Sequence, residues 1–309
     1  TNGRIVCAMR VVLVATDDSG GGFWATYRLL EALEVAGVDV RLFVINSNTG
    51  HDRVTSQTKY YARYWHRLHR FLDGLPTRLY TKRSRSIFSN AKVGSTLLIR
   101  KIKEFKPDIL HLHWITGGAF QLSKLKEFDL PIVWSHHDMW AFTGGCHYTG
   151  ECQKYLQDCG CCPILGSKHT SDLSRKNIRW KFEIYSQLEN LNNIGLSNWM
   201  LGELNQSPLF RKNRNVNLPN PIDTTYFDKI PKNEAKEQLG LDENKKYILF
   251  SAMNSTTDNR KGFVELYRAL QIMPKNNDIE LLVLGGERNG DLNELQFPVS
   301  YMGLINNWV

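Results

Sequence analysis

Apolar strand-like runs alternate with amphipathic helical segments from the start of the chain. The run RVVLVA at 10–15 predicts a buried strand, and the turn TDDSGGG at 16–22 follows it. Apolar residues at helical spacing predict a helix over 23–37, and VDVRLFVI at 38–45 is typical of a second strand. A strand, a helix and a strand in this order form a βαβ unit, so the pattern predicts a parallel sheet covered by helices.

The alternation continues as far as the segment NLPNPIDTTYF. The predicted elements are strands at 108–114, 131–135, 194–197 and 215–218, and helices at 119–128, at 173–191 and from 198 onward. Two prolines and two asparagines around Ile222 prevent regular structure there, which is typical of a crossing between domains. We therefore predict a Rossmann-like first domain over 9–222, preceded by an extra tail at 1–8.

A second α/β series fills 223–309. Its predicted elements are helices at 233–239 and 263–273, strands at 246–253 and 279–285, a polar turn at 255–262 and an edge strand at 299–303. A doubly wound sheet normally has two βαβαβ halves, so we expect this second Rossmann-like domain to be incomplete and the sequence to be truncated.

Composition narrows the class of protein. The 309 residues are 42% hydrophobic and 23% charged, which excludes a disordered chain or a small disulfide scaffold. No stretch approaches the roughly 20 apolar residues of a membrane span, and the first apolar run is too short for a signal peptide. We therefore expect a cytoplasmic protein.

Positive charge is concentrated in a basic zone, residues 52–105. It holds 13 Lys and Arg against three acidic residues, although the whole chain has a net charge of only +8. Such a zone favours phosphates, an anionic lipid surface or nucleic acid as a partner. Because its aromatic and basic residues form no recognisable nucleic-acid motif, we expect no nucleic acid partner.

Gly20, Gly21 and Gly22 lie between a predicted strand and a predicted helix. There the backbone can approach a phosphate or a sugar closely, and a helix N-terminus offers free N–H donors. The glycines with Ala25 also fit a loose dinucleotide fingerprint, but Asn46 occupies the position of the ribose-binding acid. A tight turn without a ligand remains an alternative.

His137 comes just after the strand PIVWS, with only His136 between them. It therefore falls at the carboxyl end of a parallel strand, where open α/β sheets bind ligands, and it could donate a hydrogen bond to a sugar hydroxyl or a developing charge. A loop histidine that caps local backbone is the alternative. His111 and His113 share one face of a strand. We interpret them as buried or wall residues rather than as metal ligands, because no carboxylate-rich ligand motif accompanies them.

Five of the six cysteines lie in one loop, 146–162. Cys146, Cys152, Cys159 and Cys162 have the spacing C-x5-C-x6-C-x2-C, and four thiolates complete a tetrahedral structural zinc site. Cys161 is left over. A loop of free or redox-labile thiols is the competing interpretation.

Arg260 and Lys261 lie between a strand and a helix in the second domain. Two cations beside a helix N-terminus favour a diphosphate, because fixed charge and backbone dipoles converge on one anion. A solvated charged turn is the alternative.

Together, these segments resemble the family 4 glycosyltransferases of the GT-B fold. The resemblance rests on DDSGGGFWATYRLLEAL, PDILHLHWITGG, PIVWSHHDMWAFTGGCHYTGEC with DCGCCP, NLPNPIDTTYF and NRKGFVELYRAL. It implies two Rossmann-like domains facing a cleft, and a bacterial enzyme of colanic-acid-like or capsular polysaccharide synthesis.

The resemblance also implies roles for the candidate residues. Gly21 and Gly22 would approach the donor phosphate or sugar, His137 would contact the transferred sugar, and Arg260 with Lys261 would neutralise the departing diphosphate. The implied reaction is sugar transfer from a nucleotide-sugar donor, with retention and without a required divalent cation. The implied acceptor is a glycan or a lipid-linked molecule, which the basic zone would approach at the inner face of the membrane.

Two features depart from the family pattern. The sequence has SAMNS where many members carry a Gly-Arg pair, and the family's motif of two glutamates would fall beyond Val309. We therefore expect the full-length parent to be the enzyme and this chain to be inactive or nearly so. The alternatives are a nicotinamide-dependent Rossmann oxidoreductase and a non-enzymatic zinc or nucleic-acid module.

Overall fold

The computed structural model describes residues 9–45, 47, 52–56, 60–252, 258–285 and 295–303, with the side chains of 60–63 and 259 outside the description. The predicted tail at 1–8, Asn46 and most of SAMNS lie outside the described residues. The chain divides into two compact units, Thr1–Thr224 and Thr225–Val309. Each unit is described by itself.

The part of the first unit that the structure describes is built on a sheet of seven parallel strands. They are β1 (Arg10–Val14), β2 (Asp39–Val44), β3 (Val54–Ser56), β4 (Ile109–Leu112), β5 (Ile132–His136), β6 (Leu191–Gly195) and β7 (Arg214–Asn217). Their order in the sheet is β3-β2-β1-β4-β5-β6-β7. The chain therefore builds outward from β1 in one direction and then in the other, which places a topological switch point between β1 and β4.

Among the described residues of this unit, five α-helices accompany the sheet. They are α1 (Gly20–Val35), α2 (Tyr60–Arg78), α3 (Thr96–Phe105), α4 (Leu173–Tyr185) and α5 (Asn198–Gln206). The parallel strands read as nearly continuous apolar runs because the sheet lies inside the unit: Val12, Leu13 and Val14 are fully buried. The predicted α/β class with a parallel sheet is confirmed.

The predicted helix over 119–128 is wrong. Only a short 3-10 helix forms, at Leu122–Glu127. Backbone groups at the start of the predicted helix instead bond to a distant segment: Ala119 O accepts from Ser95 N at 2.9 Å, and Leu122 N donates to Ala91 O at 3.0 Å. These long-range bonds outweigh the local helical preference.

The second unit contains three parallel strands within the described residues. They are β8 (Lys246–Ser251), β9 (Ile279–Leu284) and β10 (Val299–Gly303), in the order β10-β9-β8, accompanied by α6 (Lys232–Gln238) and α7 (Phe263–Gln271). β10 is an edge strand of this sheet, as predicted. None of the described helices is long and apolar enough to cross a membrane.

Candidate functional site

The first candidate site lies at the carboxyl edge of the seven-stranded sheet, beside the switch point. His113 N donates to Val14 O at 3.0 Å, and Thr16 N donates to Trp114 O at 2.8 Å. These bonds hold the residues after β1 and β4 side by side. Open α/β sheets bind their ligands at such a crevice.

The three glycines form the first turn of α1 rather than a separate turn before it. Gly20 has φ of +78°, a left-handed conformation that favours glycine. Ser19 occupies the N-cap position without a side-chain hydrogen bond to the helix. A Cβ on Gly21 would meet nothing within 4 Å, and one on Gly22 would lie 3.9 Å from the Cβ of Trp114. The backbone there is open to a ligand on the side of Gly21.

His137 follows β5 directly, as predicted, and a second histidine holds it. The Nδ1 of His113 and the Nε2 of His137 form a hydrogen bond of 3.0 Å. His111 stacks on His113 with ring centroids 4.5 Å apart, and its Nε2 is 2.9 Å from the Ser135 hydroxyl oxygen. His111 and His113 are both buried. They form the wall behind His137.

Burial keeps these imidazoles neutral. It lowers the pKa of His111 to about 3 and that of His136 to about 4, and it also lowers the pKa values of His113 and His137. The charged form of a histidine loses hydration in such surroundings. At neutral pH, His137 therefore acts as a neutral hydrogen-bonding group.

Asp138, next to His137, is the most heavily bonded side chain of the site. Its Oδ2 accepts from Nδ1 of His147 at 2.6 Å and from the indole N–H of Trp114 at 2.9 Å, and its Oδ1 accepts from the backbone N–H of Trp140 at 2.8 Å. Burial acts to raise the pKa of Asp138, but these hydrogen bonds outweigh it and the pKa falls. The carboxylate fixes the segment that carries His137.

His147 continues this network to another part of the chain. Because a carboxylate has no hydrogen to donate, Nδ1 of His147 carries the hydrogen given to Asp138. Its Nε2 is 2.9 Å from the Ser89 hydroxyl oxygen. These hydrogen bonds therefore join Trp114, which follows β4, and the loop after β5 to Ser89.

A buried lysine of α4 hydrogen-bonds to the backbone of the loop after β5. Lys181, on α4, is fully buried, and its ammonium donates to the carbonyls of Trp140 and Thr143. It also lies 3.8 Å from the centroid of the Trp140 ring. Burial lowers the pKa of Lys181 to about 7. The sequence gives little sign of this role, since Lys181 lies in an amphipathic helix among solvated charges.

The second unit holds the predicted cation pair. Arg260 and Lys261 are exposed in a short 3-10 helix, Asn259–Lys261, which leads through Gly262 into α7. Gly262 has φ of +79°. The guanidinium of Arg260 donates to both carboxylate oxygens of Asp258, at 2.9 and 2.6 Å. Asp258 was missed in the sequence, and it offsets part of the charge that a diphosphate would meet.

The four cysteines of the predicted zinc set line one small pocket. All five cysteines of the loop are free thiols. Over the described residues, no group of three or more His, Cys, Asp or Glu side chains is arranged to hold a metal ion. The zinc site therefore stays a prediction.

Solved structures show which class of protein has this fold. A glycosyltransferase from Rickettsia africae ESF-5 is similar with a TM-score of 0.54 and 13% identity, covering 97% of this chain and 69% of that chain. WaaG, a glycosyltransferase involved in lipopolysaccharide biosynthesis, has a TM-score of 0.54 and 14% identity, covering 96% of this chain and 70% of that chain. These likenesses establish the GT-B fold of glycosyltransferases.

The sequence comparison identifies the family. The model of Glycosyltransferase Family 4 matches residues 19–226. The chain therefore belongs to Glycosyltransferase Family 4, which confirms the resemblance stated above. It is also 30% identical over 70 residues to WcaC of Escherichia coli (strain K12), a glycosyl transferase named for colanic acid biosynthesis; the match covers 20% of this chain and 17% of that protein.

Proposed function

We propose that this protein transfers a sugar from a nucleotide-sugar donor to a hydroxyl group of a glycan or lipid-linked acceptor in surface polysaccharide synthesis. The observation that carries the proposal is the arrangement of His137 at the carboxyl edge of β5. There the indole of Trp114 donates to Asp138, and Trp114 O accepts from the N–H of Thr16 in the turn before α1. Family membership supports the reaction class.

The pairing of two histidines decides which nitrogen of His137 faces a ligand. Nε2 of His113 is buried without a partner among the described residues. Burying a ring nitrogen acceptor without a partner costs less free energy than burying an N–H donor without one. His113 therefore carries its hydrogen on Nδ1 and donates it to Nε2 of His137. His137 then carries its own hydrogen on Nδ1. That nitrogen donates to an oxygen of the transferred sugar.

The proposed reaction proceeds with retention at the anomeric carbon. The acceptor oxygen forms a bond to the anomeric carbon, and the bond from that carbon to the donor phosphate oxygen breaks. The nucleoside diphosphate leaves with the electron pair, and one of its phosphate oxygens takes the acceptor proton. The hydrogen bond from His137 orients the sugar while the N–H groups at the start of α1 lie toward the phosphate.

Lys261 and Arg260 bind the diphosphate in this proposal. Lys261 supplies an exposed ammonium beside the N-terminus of α7, where the helix dipole also favours an anion. Arg260 must exchange its bidentate pair with Asp258 for the phosphate oxygens. We therefore assign the larger contribution to Lys261.

Calorimetric titration of this chain with UDP, GDP, ADP and NAD tests the proposal. We expect at least one nucleoside diphosphate to bind and NAD not to bind. Lys261→Ala is expected to weaken that binding roughly thirtyfold, because a charge-assisted bond to phosphate is lost. Lys275→Ala, an exposed lysine of the same unit, is the matched control and should bind as the wild type does. Tighter binding of NAD would favour the oxidoreductase alternative.

We propose in addition that α2 binds an anionic membrane surface and that the protein reaches its acceptor there. Its buried face is fixed by His66, Asp73 and Thr77. The opposite side of the helix exposes an apolar stripe, which consists of Tyr64, Trp65, Phe71, Leu72 and Leu75, and Leu79 follows the helix directly. Arg67 and Arg78 are exposed beside the stripe. An apolar helix face flanked by cations is typical of a helix that lies in a bilayer interface.

Vesicle sedimentation tests this surface. The chain should bind vesicles that contain an anionic lipid and not purely zwitterionic vesicles, because the arginines add electrostatic attraction. Replacing both Trp65 and Phe71 with serine is expected to lower binding by about tenfold or more. Trp199→Ser, an equally exposed tryptophan on α5, is the control. Equal binding to both vesicle types would contradict the proposal.

A further inference from the structure

The loop 146–162 contains a cysteine pocket, which we define by the thiols of Cys146, Cys152, Cys159 and Cys162. All four residues line it, together with Lys154, Tyr155 and several small residues. Cys161 does not line it, and its Sγ instead contacts Lys168 O at 3.4 Å. The fold therefore selects the same four cysteines as the sequence spacing and leaves out the fifth.

The turn between the last two pocket cysteines has an unusual backbone. Cys159, Gly160 and Cys161 have φ of +54°, +89° and +45°, so three consecutive residues adopt the left-handed region. Residues with a Cβ rarely adopt it, and such residues cluster at functional sites. Gly160 is required because a Cβ there would lie 2.2 Å from Thr170 O.

Hydrogen bonds from outside the loop hold this turn in place. Cys162 N donates to Oδ2 of Asp172 at 2.8 Å, and Gly160 N donates to Oγ of Ser174 at 3.0 Å. Both acceptors lie at the start of α4. The two thiols of the C-x2-C turn are therefore positioned by the scaffold rather than by a disulfide, which is how a metal site is supported.

Charge around the pocket suits a negative centre. Lys154 lines the pocket, and the buried ammonium of Lys181 donates to the carbonyl of Thr143, whose hydroxyl donates to Cys146 O. Four thiolates around a divalent cation carry two net negative charges. The ammonium groups of two nearby lysines would offset part of this charge.

We propose that the cysteine pocket is a structural zinc site with Cys146, Cys152, Cys159 and Cys162 as ligands. Zinc prefers four thiolates in a closed tetrahedral set. The side chains must turn from the pocket wall toward a shared centre. The described side chains form no group of three or more that could hold a metal ion, so zinc binding requires rotation about Cα–Cβ to other staggered rotamers, at a cost that is small beside the energy of zinc–thiolate bonding.

Such a site would fix the loop that supports His137. Cys146 immediately precedes His147, which donates to Asp138 at 2.6 Å. Thr143 donates to Cys146 O at 2.6 Å, and Lys181 bonds to Thr143 O. Zinc at Cys146 would therefore stabilise the whole segment from His137 to His147. The proposal concerns metal content and does not depend on the proposed sugar transfer.

Metal analysis of the chain purified without chelators tests the proposal. We expect one zinc per chain in the wild type and in Cys161→Ser, the matched control from the same loop. Cys159→Ser and Cys146→Ser are expected to lose most of it. A wild type without zinc, or an equal loss in Cys161→Ser, would overturn the proposal, as would a protein with disulfides in this loop.

A second measurement covers the case in which the cysteine variants do not fold. Stepwise titration of wild-type thiols with an organomercurial, in the presence of a zinc indicator, should release zinc as four thiols react. Cobalt-substituted wild-type protein should show thiolate-to-cobalt charge-transfer absorption. Zinc release that does not depend on thiol modification, or cobalt without that absorption, would contradict ligation by the cysteines.

Discussion

Asp138→Asn is expected to lower the free energy of unfolding of the first unit by about 3 kcal/mol. The carboxylate accepts three hydrogen bonds, from His147, Trp114 and Trp140 N. Asparagine offers only one acceptor oxygen, so its amide hydrogens would face at least one of these donors inside the protein. A buried donor without an acceptor loses the hydration free energy that it has in the unfolded chain, and this loss destabilises the folded state.

Urea unfolding followed by tryptophan fluorescence measures this effect. Seven of the eight tryptophans lie before residue 224, so the signal reports mainly on the first unit. Asp158→Asn is the control, because Asp158 pairs with Arg179 in a largely exposed ion pair whose contribution is small. If both variants unfold at the same urea concentration as the wild type, Asp138 does not hold the loop.

Acid is expected to destabilise the first unit by about 4 kcal/mol between pH 7.5 and pH 5 through His111 and His136. Burial lowers the pKa of His111 to about 3 and that of His136 to about 4. Below pH 6.5 the unfolded chain binds these protons, whereas the folded chain binds them only near pH 3 to 4. The free energy of unfolding therefore falls as the pH falls through this window.

Urea unfolding at a series of pH values between 5 and 7.5 checks this expectation. His136→Phe is expected to remove the share of His136, about 2 kcal/mol of this change, whatever its effect on stability at neutral pH. His169→Gln, in an exposed position, should leave the dependence as it is in the wild type. A stability that does not change across this range would show that these histidines titrate alike in both states.

The order of helices and strands could be predicted because local pattern determines it. The βαβ unit at 10–45 and the edge strand at 299–303 depend on apolar runs and on turn residues, which act over short distances. The helix predicted at 119–128 was wrong because backbone bonds to Ala91 and Ser95 compete for the same segment. Those partners are distant in sequence, so no local pattern reveals them.

The candidate site was predicted only in part for the same reason. His137 could be placed at the ligand-binding edge, because it follows a strand directly and parallel strands end at one edge. Its partner His113 and the bonds of Asp138 to His147 and Trp114 join three separate parts of the chain. In the second unit, the Asp258 carboxylate that pairs with Arg260 was also missed.

Residue type and spacing, which are local properties, were enough to predict the α/β class and to single out four cysteines and two cations as candidates for binding. The family was predicted from the resemblance of several motifs, and the family model confirms it. Which side chains meet depends on the folded chain: the buried histidines behind His137, the buried Lys181 bonded to the loop after β5, and a pocket lined by four of the cysteines but not by Cys161. Burial and long-range hydrogen bonds set these relations, because both depend on neighbours that only the folded chain brings together.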